Sequence, residues 1–256
     1  MKVGIIGRGT VGKAVYEGLA YIGHEMSFFD PAYDGSKLED VLGADVVFIS
    51  VPTNQAANGD CDTSIVDAVI GELDVAKYPG LVAIKSTVVP GTCERLSTQY
   101  SNLRICSVPE FLRAKHALSD FTDNHDLLII GSNEPRDFAV IKAAHGNYPK
   151  NVACVNPTEA EIVKYFNNVH HAMSIIFANV TYEVCKKLDA NYMNVYNAIT
   201  KRECFNSAYL MANENMRGFG GHCLPKDTSA WNNLIKNLGL DFTLIDAVIN
   251  DNEKLK

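Results

Sequence analysis

Short apolar runs recur along the first 155 residues, and segments with helical spacing of apolar residues separate them. The runs cover residues 3–6, 27–29, 45–50, 81–85, 103–106, 127–130 and 151–155. The helical segments cover a stretch marked by Val11, Val15, Leu19 and Ile22, and then residues 64–73, 92–99 and 134–145. Strands that alternate with helices in this way predict an α/β fold with a doubly wound, mostly parallel sheet. We place this domain at residues 1–156.

The pattern changes after Pro157. Residues 158–188 contain no glycine or proline and keep helical spacing, so they predict one helix of about 30 residues, near 45 Å long. Thr158 and Glu161 have the spacing of a capping box at its start. Shorter helices are predicted at 193–200, 228–238 and 242–255, which together give a helical second domain at 157–256. A long apolar stripe on so small a domain predicts a homodimer, with a spine wrapped by the chain's own helices as the alternative.

A glycine turn joins the first strand to the first helix. Its residues are Gly7, Arg8, Gly9, Thr10, Val11 and Gly12. A turn of this kind presents backbone N–H groups and a helix N-terminus to a dinucleotide pyrophosphate. Asp30 ends the second run about 20 residues later, where a carboxylate binds ribose hydroxyls, and no arginine follows it. These features favour NAD over NADP, and glycines required only for packing are the alternative.

Composition excludes several classes of protein. A net charge of −7 argues against nucleic acid or an anionic membrane as the main partner. No apolar run approaches the ~20 residues of a membrane span. Because Met1 leads straight into a predicted strand, we expect no signal peptide. The seven cysteines are scattered without metal-ligand spacing, so we expect reduced thiols, no metal site and a cytoplasmic location.

Cys223 lies in the segment GFGGHCLPKD, residues 218–227. The glycines predict a tight, exposed turn, and Lys226 and Asp227 follow closely. Exposure, fixed geometry and a nearby charge are typical of a nucleophilic cysteine; an inert thiol on a packing turn is the alternative. On the long helix, Lys164 and Asn168 are four residues apart and so share a face, where they form either an oxyanion-binding pair or part of a solvated surface.

Six segments in chain order resemble the nucleotide-sugar dehydrogenases, whose type member is UDP-glucose dehydrogenase. They read GRGTVG, SVPTN, KSTVVPGT, VPEFLRA, EAEIVKYFNNVHHAMSIIFANV and GFGGHCLPKD, and the last is the most specific. The resemblance implies an NAD-dependent oxidation of a primary alcohol to a carboxylate in two steps. The first hydride transfer gives an aldehyde, which a cysteine captures as a thiohemiacetal. The second gives a thioester, which water hydrolyses.

The resemblance also implies roles for individual residues. Cys223 is the nucleophile, Lys164 and Asn168 stabilise the oxyanions, and Asp227 accepts the alcohol proton through a water that Thr87 orders. Glu110 serves in thioester hydrolysis. The residues implied to line the cofactor are Gly7, Gly9, Thr10, Val11, Gly12, Asp30, Val51, Pro52, Thr53, Ser86, Thr87 and Lys226. Those implied to line the substrate are Phe111, Leu112, Arg113, Lys164, Asn168, Tyr209, Phe219 and Gly220.

The sequence departs from the family in places that bear on substrate binding. The family continues into a second α/β domain that holds uridine diphosphate, so the chain is expected to be a short form without it. The segment between Asp30 and Asp45 is short, Ala114 replaces a usual glutamate, and residues 203–210 lack a usual arginine. Two alternatives therefore remain: a β-hydroxyacid-type dehydrogenase that performs one oxidation without a cysteine, and a non-catalytic NAD-binding remnant.

Overall fold

A computed structural model describes residues 1–203, 205 and 207–255. The chain divides into two compact units. The first, unit 1, consists of Met1–Asn54 and Asp62–Lys164; the second, unit 2, consists of Gln55–Cys61 and Tyr165–Lys256. No helix among the described residues is both long and apolar enough to cross a lipid bilayer.

Unit 1 is built on a seven-stranded sheet, counted over the described residues. Its strands are β1 (Lys2–Ile6), β2 (Glu25–Phe29), β3 (Val46–Ile49), β4 (Leu81–Ile84), β5 (Arg104–Ser107), β6 (Leu127–Gly131) and β7 (Asn151–Val155). Their order is β2-β1-β3-β4-β5-β6-β7, and the pairs are parallel except β5–β6, which is antiparallel. The doubly wound, mostly parallel sheet that the sequence predicts is confirmed.

Helices cover both faces of this sheet. They are α1 (Thr10–Tyr21), α2 (Ser64–Val75), α3 (Thr92–Gln99), α4 (Ala117–Thr122) and α5 (Pro135–His145). Alternate residues of each central strand enter different apolar clusters: Val46 and Phe48 lie in one, and Val47 and Ile49 in the other. A strand buried on both sides explains why these segments appear in the sequence as continuous apolar runs.

The long helix α6 (Pro157–Lys187) begins in unit 1 and continues into unit 2. The capping box predicted from Thr158 and Glu161 is wrong by two residues. Asn156 Oδ1 accepts from Glu159 N at 2.8 Å, and Glu159 Oε2 accepts from Asn156 N at 2.9 Å. Pro157 explains the earlier start, because proline suits the first helical position, where its missing N–H is not needed.

Unit 2 adds α7 (Tyr192–Ile199), α8 (Cys223–Asn237) and α9 (Leu244–Lys254). The sequence placed the start of α8 at residue 228 and Cys223 on a turn; both predictions are wrong, since Cys223 is the first residue of the helix. Pro225 does not delay the start, because the first turn of a helix has no carbonyl partner for its N–H groups. Cys223 therefore lies at the N-terminal end of α8.

Candidate active site

The glycine turn leaves the start of α1 open. A Cβ on Gly7, whose φ is +87°, would lie 2.8 Å from the Ser50 carbonyl, and a Cβ on Gly12 would lie 1.9 Å from the Gly7 oxygen. The chain's own packing therefore requires both glycines. A Cβ on Gly9 would meet nothing within 4 Å. Packing therefore does not explain the glycine at position 9. The open space beside it lets a ligand approach the backbone closely.

The N-terminus of α1 has the properties of an anion-binding site. Gly9 provides no side-chain cap, and the first turn, which includes Thr10 and Val11, carries no acidic residue. Its N–H groups and the positive end of the helix dipole are available to a phosphate. Asp30 follows β2, and its Oδ2 and Oδ1 accept from the backbone N of Arg8 at 2.6 Å and of Ala32 at 2.9 Å. Its remaining lone pairs suit ribose hydroxyls, so this turn fits NAD.

Arg8, within the glycine turn, packs against aromatic rings, a contact that the sequence did not predict. Its guanidinium carbon lies 4.4 Å from the ring centre of Phe28 and 4.5 Å from that of Tyr16. Cation–π contacts at these distances keep the side chain on the aromatic surface. The order of residues alone gives no sign of this, because the two rings come from α1 and β2.

The loops after β3 and β4 are joined by a hydrogen bond. Ser86 Oγ donates to the Val51 carbonyl at 2.7 Å. Val51 and Thr53 are buried, Pro52 is exposed, and Thr87 is half-buried. The two loops that the sequence assigned to the cofactor therefore lie together at the carboxyl ends of parallel strands, where open α/β sheets bind ligands.

Glu110, in the loop after β5, forms a buried ion pair. Its Oε2 lies 3.0 Å from Lys85 Nζ, and its Oε1 accepts from Phe111 N at 2.9 Å. Burial by itself would raise the pKa of Glu110, but the charges of Lys85 and His125 and these hydrogen bonds lower it to about 2. Glu110 is thus a fixed carboxylate. Sequence reasoning passed over Lys85, which looks like the last residue of a buried strand.

Lys164 is close to Glu110 within unit 1. Its Nζ donates to the Glu110 carbonyl at 2.6 Å and lies 5.3 Å from the ring centre of Phe111. The ammonium group of Lys164 thus lies beside both the backbone of Glu110 and the aromatic ring that follows it. The two residues after Phe111, also predicted to line the substrate, have other contacts. Leu112 packs against the apolar core, and the guanidinium of Arg113 binds Asp120.

Unit 2 brings Asn168 and Asp227 together. Asn168 Nδ2 donates to Asp227 Oδ2 at 2.5 Å, and the two residues are 5% and 1% exposed. This burial excludes a solvated surface for Asn168. Lys226 Nζ lies 2.6 Å from Asp227 Oδ1 and 3.8 Å from Cys61 Sγ. Lys226, predicted to bind the cofactor, is therefore a buried partner of Asp227.

Cys223 is exposed and lies four residues before Asp227 on α8. Cys61, Cys93, Cys106 and Cys185 are buried, Cys154 is exposed, and Cys204 lies outside the described residues. Residues four apart share one face of a helix, so the exposed thiol and the buried carboxylate belong to the same side of α8. Among the residues described, no cluster of three or more potential ligands suitable for a metal ion occurs.

The remaining predicted substrate residues have different surroundings. Phe219 is buried, and its backbone N and O are both bonded to the side-chain amide of Asn252. Gly220 is exposed, and a Cβ there would meet nothing within 4 Å. The ring of Tyr209 stacks on that of His171 with centroids 3.8 Å apart. Asn252 thus holds Phe219, the residue at the start of the segment that leads to Cys223.

Two domain models of one protein family match this chain. The NAD binding domain model of the UDP-glucose/GDP-mannose dehydrogenase family matches residues 35–148, and the central domain model of that family matches residues 158–254. The predicted cofactor, NAD, is thereby confirmed, as is the likeness to nucleotide-sugar dehydrogenases.

Individual relatives show how much of the chain is shared. The UDP-glucose 6-dehydrogenase of Rickettsia bellii is 32% identical over 239 residues, which cover 90% of this chain and 53% of that protein. The chain thus spans about half the length of this curated relative. A UDP-glucose dehydrogenase structure from Pyrobaculum islandicum is 28% identical with a TM-score of 0.89, and the match covers 99% of this chain and 68% of that one.

A third match concerns the fold alone. The 3-hydroxyisobutyrate dehydrogenase of Mycobacterium tuberculosis is 16% identical with a TM-score of 0.78, and the match covers 99% of this chain and 92% of that one. The two family models, in contrast, match in chain order and together cover most of the sequence. The chain therefore belongs to the UDP-glucose/GDP-mannose dehydrogenase family and carries its NAD binding domain and its central domain.

Proposed function

We propose that the protein is an NAD-dependent dehydrogenase that oxidises the primary alcohol of a nucleotide sugar similar to UDP-glucose to a uronic acid. Two hydride transfers and one hydrolysis convert the alcohol, two NAD⁺ and water into the carboxylate, two NADH and three protons. NAD, when bound, supplies the oxidising power by accepting both hydrides. The expected holders of NAD are the α1 turn, Asp30, the 51–53 and 86–87 loops, and Lys226 through its contact with Asp227.

The observation that carries this proposal is the buried hydrogen bond between Asn168 on α6 and Asp227 on α8. Helix α8 is the helix that begins at Cys223. An exposed thiol, a buried carboxylate and an amide with a second N–H still available supply a nucleophile, a proton acceptor and an oxyanion donor. A dehydrogenase that stops at the first oxidation needs no nucleophile. This combination therefore favours the double oxidation.

The proposed steps assign one task to each residue. A water that Thr87 orders carries the alcohol proton to Asp227 as the aldehyde forms. The Cys223 sulfur then bonds to the aldehyde carbon, and Lys164 and Asn168 donate to the resulting oxyanion. Loss of the second hydride leaves a thioester; water adds to it, the carbon–sulfur bond breaks, and the thiolate returns.

Glu110 has a modified role in this account. A carboxyl group with a pKa of about 2 is a weak proton acceptor at neutral pH, since general bases work best with a pKa near the operating pH. We therefore assign to Glu110 the orientation of the hydrolytic water through its ionised oxygens. Phe111, Leu112, Arg113, Tyr209, Phe219 and Gly220 remain the residues proposed to line the substrate.

The experiment that tests this proposal compares Cys223→Ser with Cys154→Ser, which removes the other exposed cysteine. Each protein is incubated with UDP-glucose and NAD, and the uronic acid is measured by mass spectrometry. The proposal predicts acid from the wild type and from Cys154→Ser, and none from Cys223→Ser. Undiminished acid production by Cys223→Ser would refute the role of this thiol.

One alternative has an observation in its favour. The match to 3-hydroxyisobutyrate dehydrogenase spans 92% of that chain, so the same fold serves a dehydrogenase of similar length. A β-hydroxyacid-type reaction would release one NADH per substrate and would be insensitive to Cys223→Ser. NAD binding without turnover of either substrate class would instead indicate the non-catalytic remnant.

We also propose that the protein is a homodimer in a reducing, cytoplasmic environment. Phe166, Phe177, Val180 and Val184 on α6 are 48–69% exposed in the single chain, although their spacing is that of an apolar stripe. A second copy would cover this stripe. The cysteines that the structure describes are not joined in disulfides, which suits a reducing compartment.

A further inference from the structure

Glu161 lies in the second turn of α6 and is 2% exposed. Its Oε2 accepts from Gly91 N at 2.6 Å, and its Oε1 accepts from Cys93 N at 2.8 Å. Gly91 is the N-cap residue of α3 and has no side chain to serve as a cap. A carboxylate from another helix therefore satisfies the N–H groups that α3 leaves open at its start.

This contact fixes one end of the 86–91 loop, which joins β4 to α3. Ser86 Oγ fixes the other end by donating to the Val51 carbonyl at 2.7 Å. Gly91 has a φ of +95°, a conformation that L side chains rarely adopt. The loop that carries Thr87 is thus held at both ends, and Glu161 holds the end at the helix.

The same part of α6 also holds the loop after β5. Lys164, one turn after Glu161, donates from Nζ to the Glu110 carbonyl at 2.6 Å. Residues three apart lie on one face of a helix. One face of α6 therefore contacts both loops with opposite charges, an acid at the loop after β4 and a base at the loop after β5.

We propose that Glu161 is a positioning residue that sets the geometry of the Ser86–Thr87 loop through its two bonds to the start of α3, and that the ionised carboxylate is the form that does so. The consequence for cofactor binding rests on the proposed function, which places Ser86 and Thr87 at NAD. The consequence for the loop itself does not.

The surroundings of Glu161 set its pKa, and therefore the pH range in which its contact with α3 changes. Burial, reinforced by the charge of Glu94, raises the pKa of Glu161 to about 7, although bonds from the backbone of Cys93, Gly91 and Thr92 oppose the rise. Two further titratable groups on α3, Cys93 and Arg95, interact with the charge of Glu161. Burial keeps the pKa of the Cys93 thiol well above its usual value, and the charge of Arg95 is paired with Asp67.

Protonation below pH 7 converts one acceptor oxygen of Glu161 into a hydroxyl, so one bond to α3 is lost. The effect on overall stability has the opposite sign. A carboxyl group with a raised pKa favours folding while it is protonated, and this contribution is lost as pH rises from about 4.5 through about 7. The loop is held best at a pH where Glu161 itself stabilises the fold least.

The test compares Glu161→Gln with Glu159→Gln, a change of the same kind two residues away that leaves α3 untouched. Amide exchange of residues 86–93 is measured by mass spectrometry at pH 6 and pH 8 and corrected for the intrinsic exchange rate. We expect exchange about two- to tenfold faster in Glu161→Gln, the range for one lost hydrogen bond. Wild type and Glu159→Gln should show extra protection at pH 8, and Glu161→Gln should not.

NAD affinity, measured over the same pH range, provides the functional readout. The wild-type dissociation constant should fall about two- to tenfold between pH 6 and pH 8, whereas that of Glu161→Gln should change little. Equal exchange in wild type and Glu161→Gln at both pH values would overturn the inference, even if the variant binds NAD weakly. Absence of NAD binding by the wild type would overturn the proposed function instead, because the exchange measurement needs no ligand.

Discussion

At the scale of single residues, the ion pair of Lys85 and Glu110 has the clearest energetic consequence. Replacing Lys85 by Met leaves a carboxylate that is buried without its counter-charge, which costs about 3–5 kcal/mol of folding free energy. Replacing Glu110 by Gln in the same protein removes that charge, so the double variant should regain much of the loss. Urea unfolding of both single variants and of the double variant measures this coupling. Strictly additive losses would contradict it.

The same carboxyl group predicts a dependence of stability on pH. Because the pKa of Glu110 is lowered from 4.5 to about 2, its stabilising contribution is complete above pH 4.5 and is lost as pH falls towards 2. The stability difference between wild type and Glu110→Gln should therefore shrink between pH 5 and pH 3.5. Urea unfolding at several pH values checks this, and a difference that is constant with pH would contradict it.

The sequence identified Glu110, Lys164, Asn168 and Asp227 as candidates, but not what each of them contacts. These residues could be identified because each lies in a short motif that resembles the family. A motif of neighbouring residues does not show which distant residues it contacts. Lys85 was not singled out, and Glu161 was assigned to a capping box instead of to α3. Their partners are 25 and 70 positions away along the chain, as the contacts Lys85–Glu110 and Glu161–Gly91 show. Pairing of this kind depends on the fold rather than on local spacing.

At the scale of elements, substitutions in the turn between β1 and α1 should distinguish effects on NAD binding from effects on folding. Gly9→Ala places its Cβ in open space at an ordinary φ, so the free energy of unfolding should change by no more than about 0.5 kcal/mol. NAD affinity should fall at least about tenfold, equivalent to about 1.4 kcal/mol, because the methyl group obstructs the phosphate approach. Calorimetric titration and urea unfolding measure the two quantities.

Gly12→Ala is the matched variant, since its Cβ would lie 1.9 Å from the Gly7 oxygen. It should lose stability as well as NAD affinity. If Gly9→Ala retained full affinity, the turn would not be the pyrophosphate site.

The start of α6 gives a second test at this scale. Asn156→Ala removes a side-chain cap and should cost about 1 kcal/mol. Thr158→Ala should cost less, because Thr158 Oγ1 is buried without a hydrogen-bond partner. Thermal unfolding of the two variants compares them. A larger loss for Thr158→Ala would favour the capping box predicted from the sequence over the observed one.

Element boundaries followed from the sequence where local chemistry determines them. Residues 92–99 and 151–155 were predicted as they occur: Gly91 precedes the helix, and a short apolar run marks the strand. Helix α8 was misplaced because a proline in a first turn looks the same in sequence as a proline that breaks a helix. Only the structure shows that Pro225 follows two helical residues.

At the scale of the whole molecule, the exposed stripe of α6 predicts self-association. Light scattering after size exclusion should give twice the 28.1 kDa mass of the chain. Phe177→Lys places a charge in the stripe and should shift the protein towards that single mass, whereas Val75→Lys, an exposed apolar position on α2, should not. A wild-type protein of 28.1 kDa would show that the stripe is not a dimer interface.

The measurement that tests the central claim most directly is the yield of NADH from a limiting, known amount of UDP-glucose. Two NADH per sugar molecule, with the uronic acid as product, is the predicted result, because the proposed capture by Cys223 would commit the aldehyde to a second oxidation. A yield of one NADH per sugar, or NAD binding without any NADH, would contradict the account.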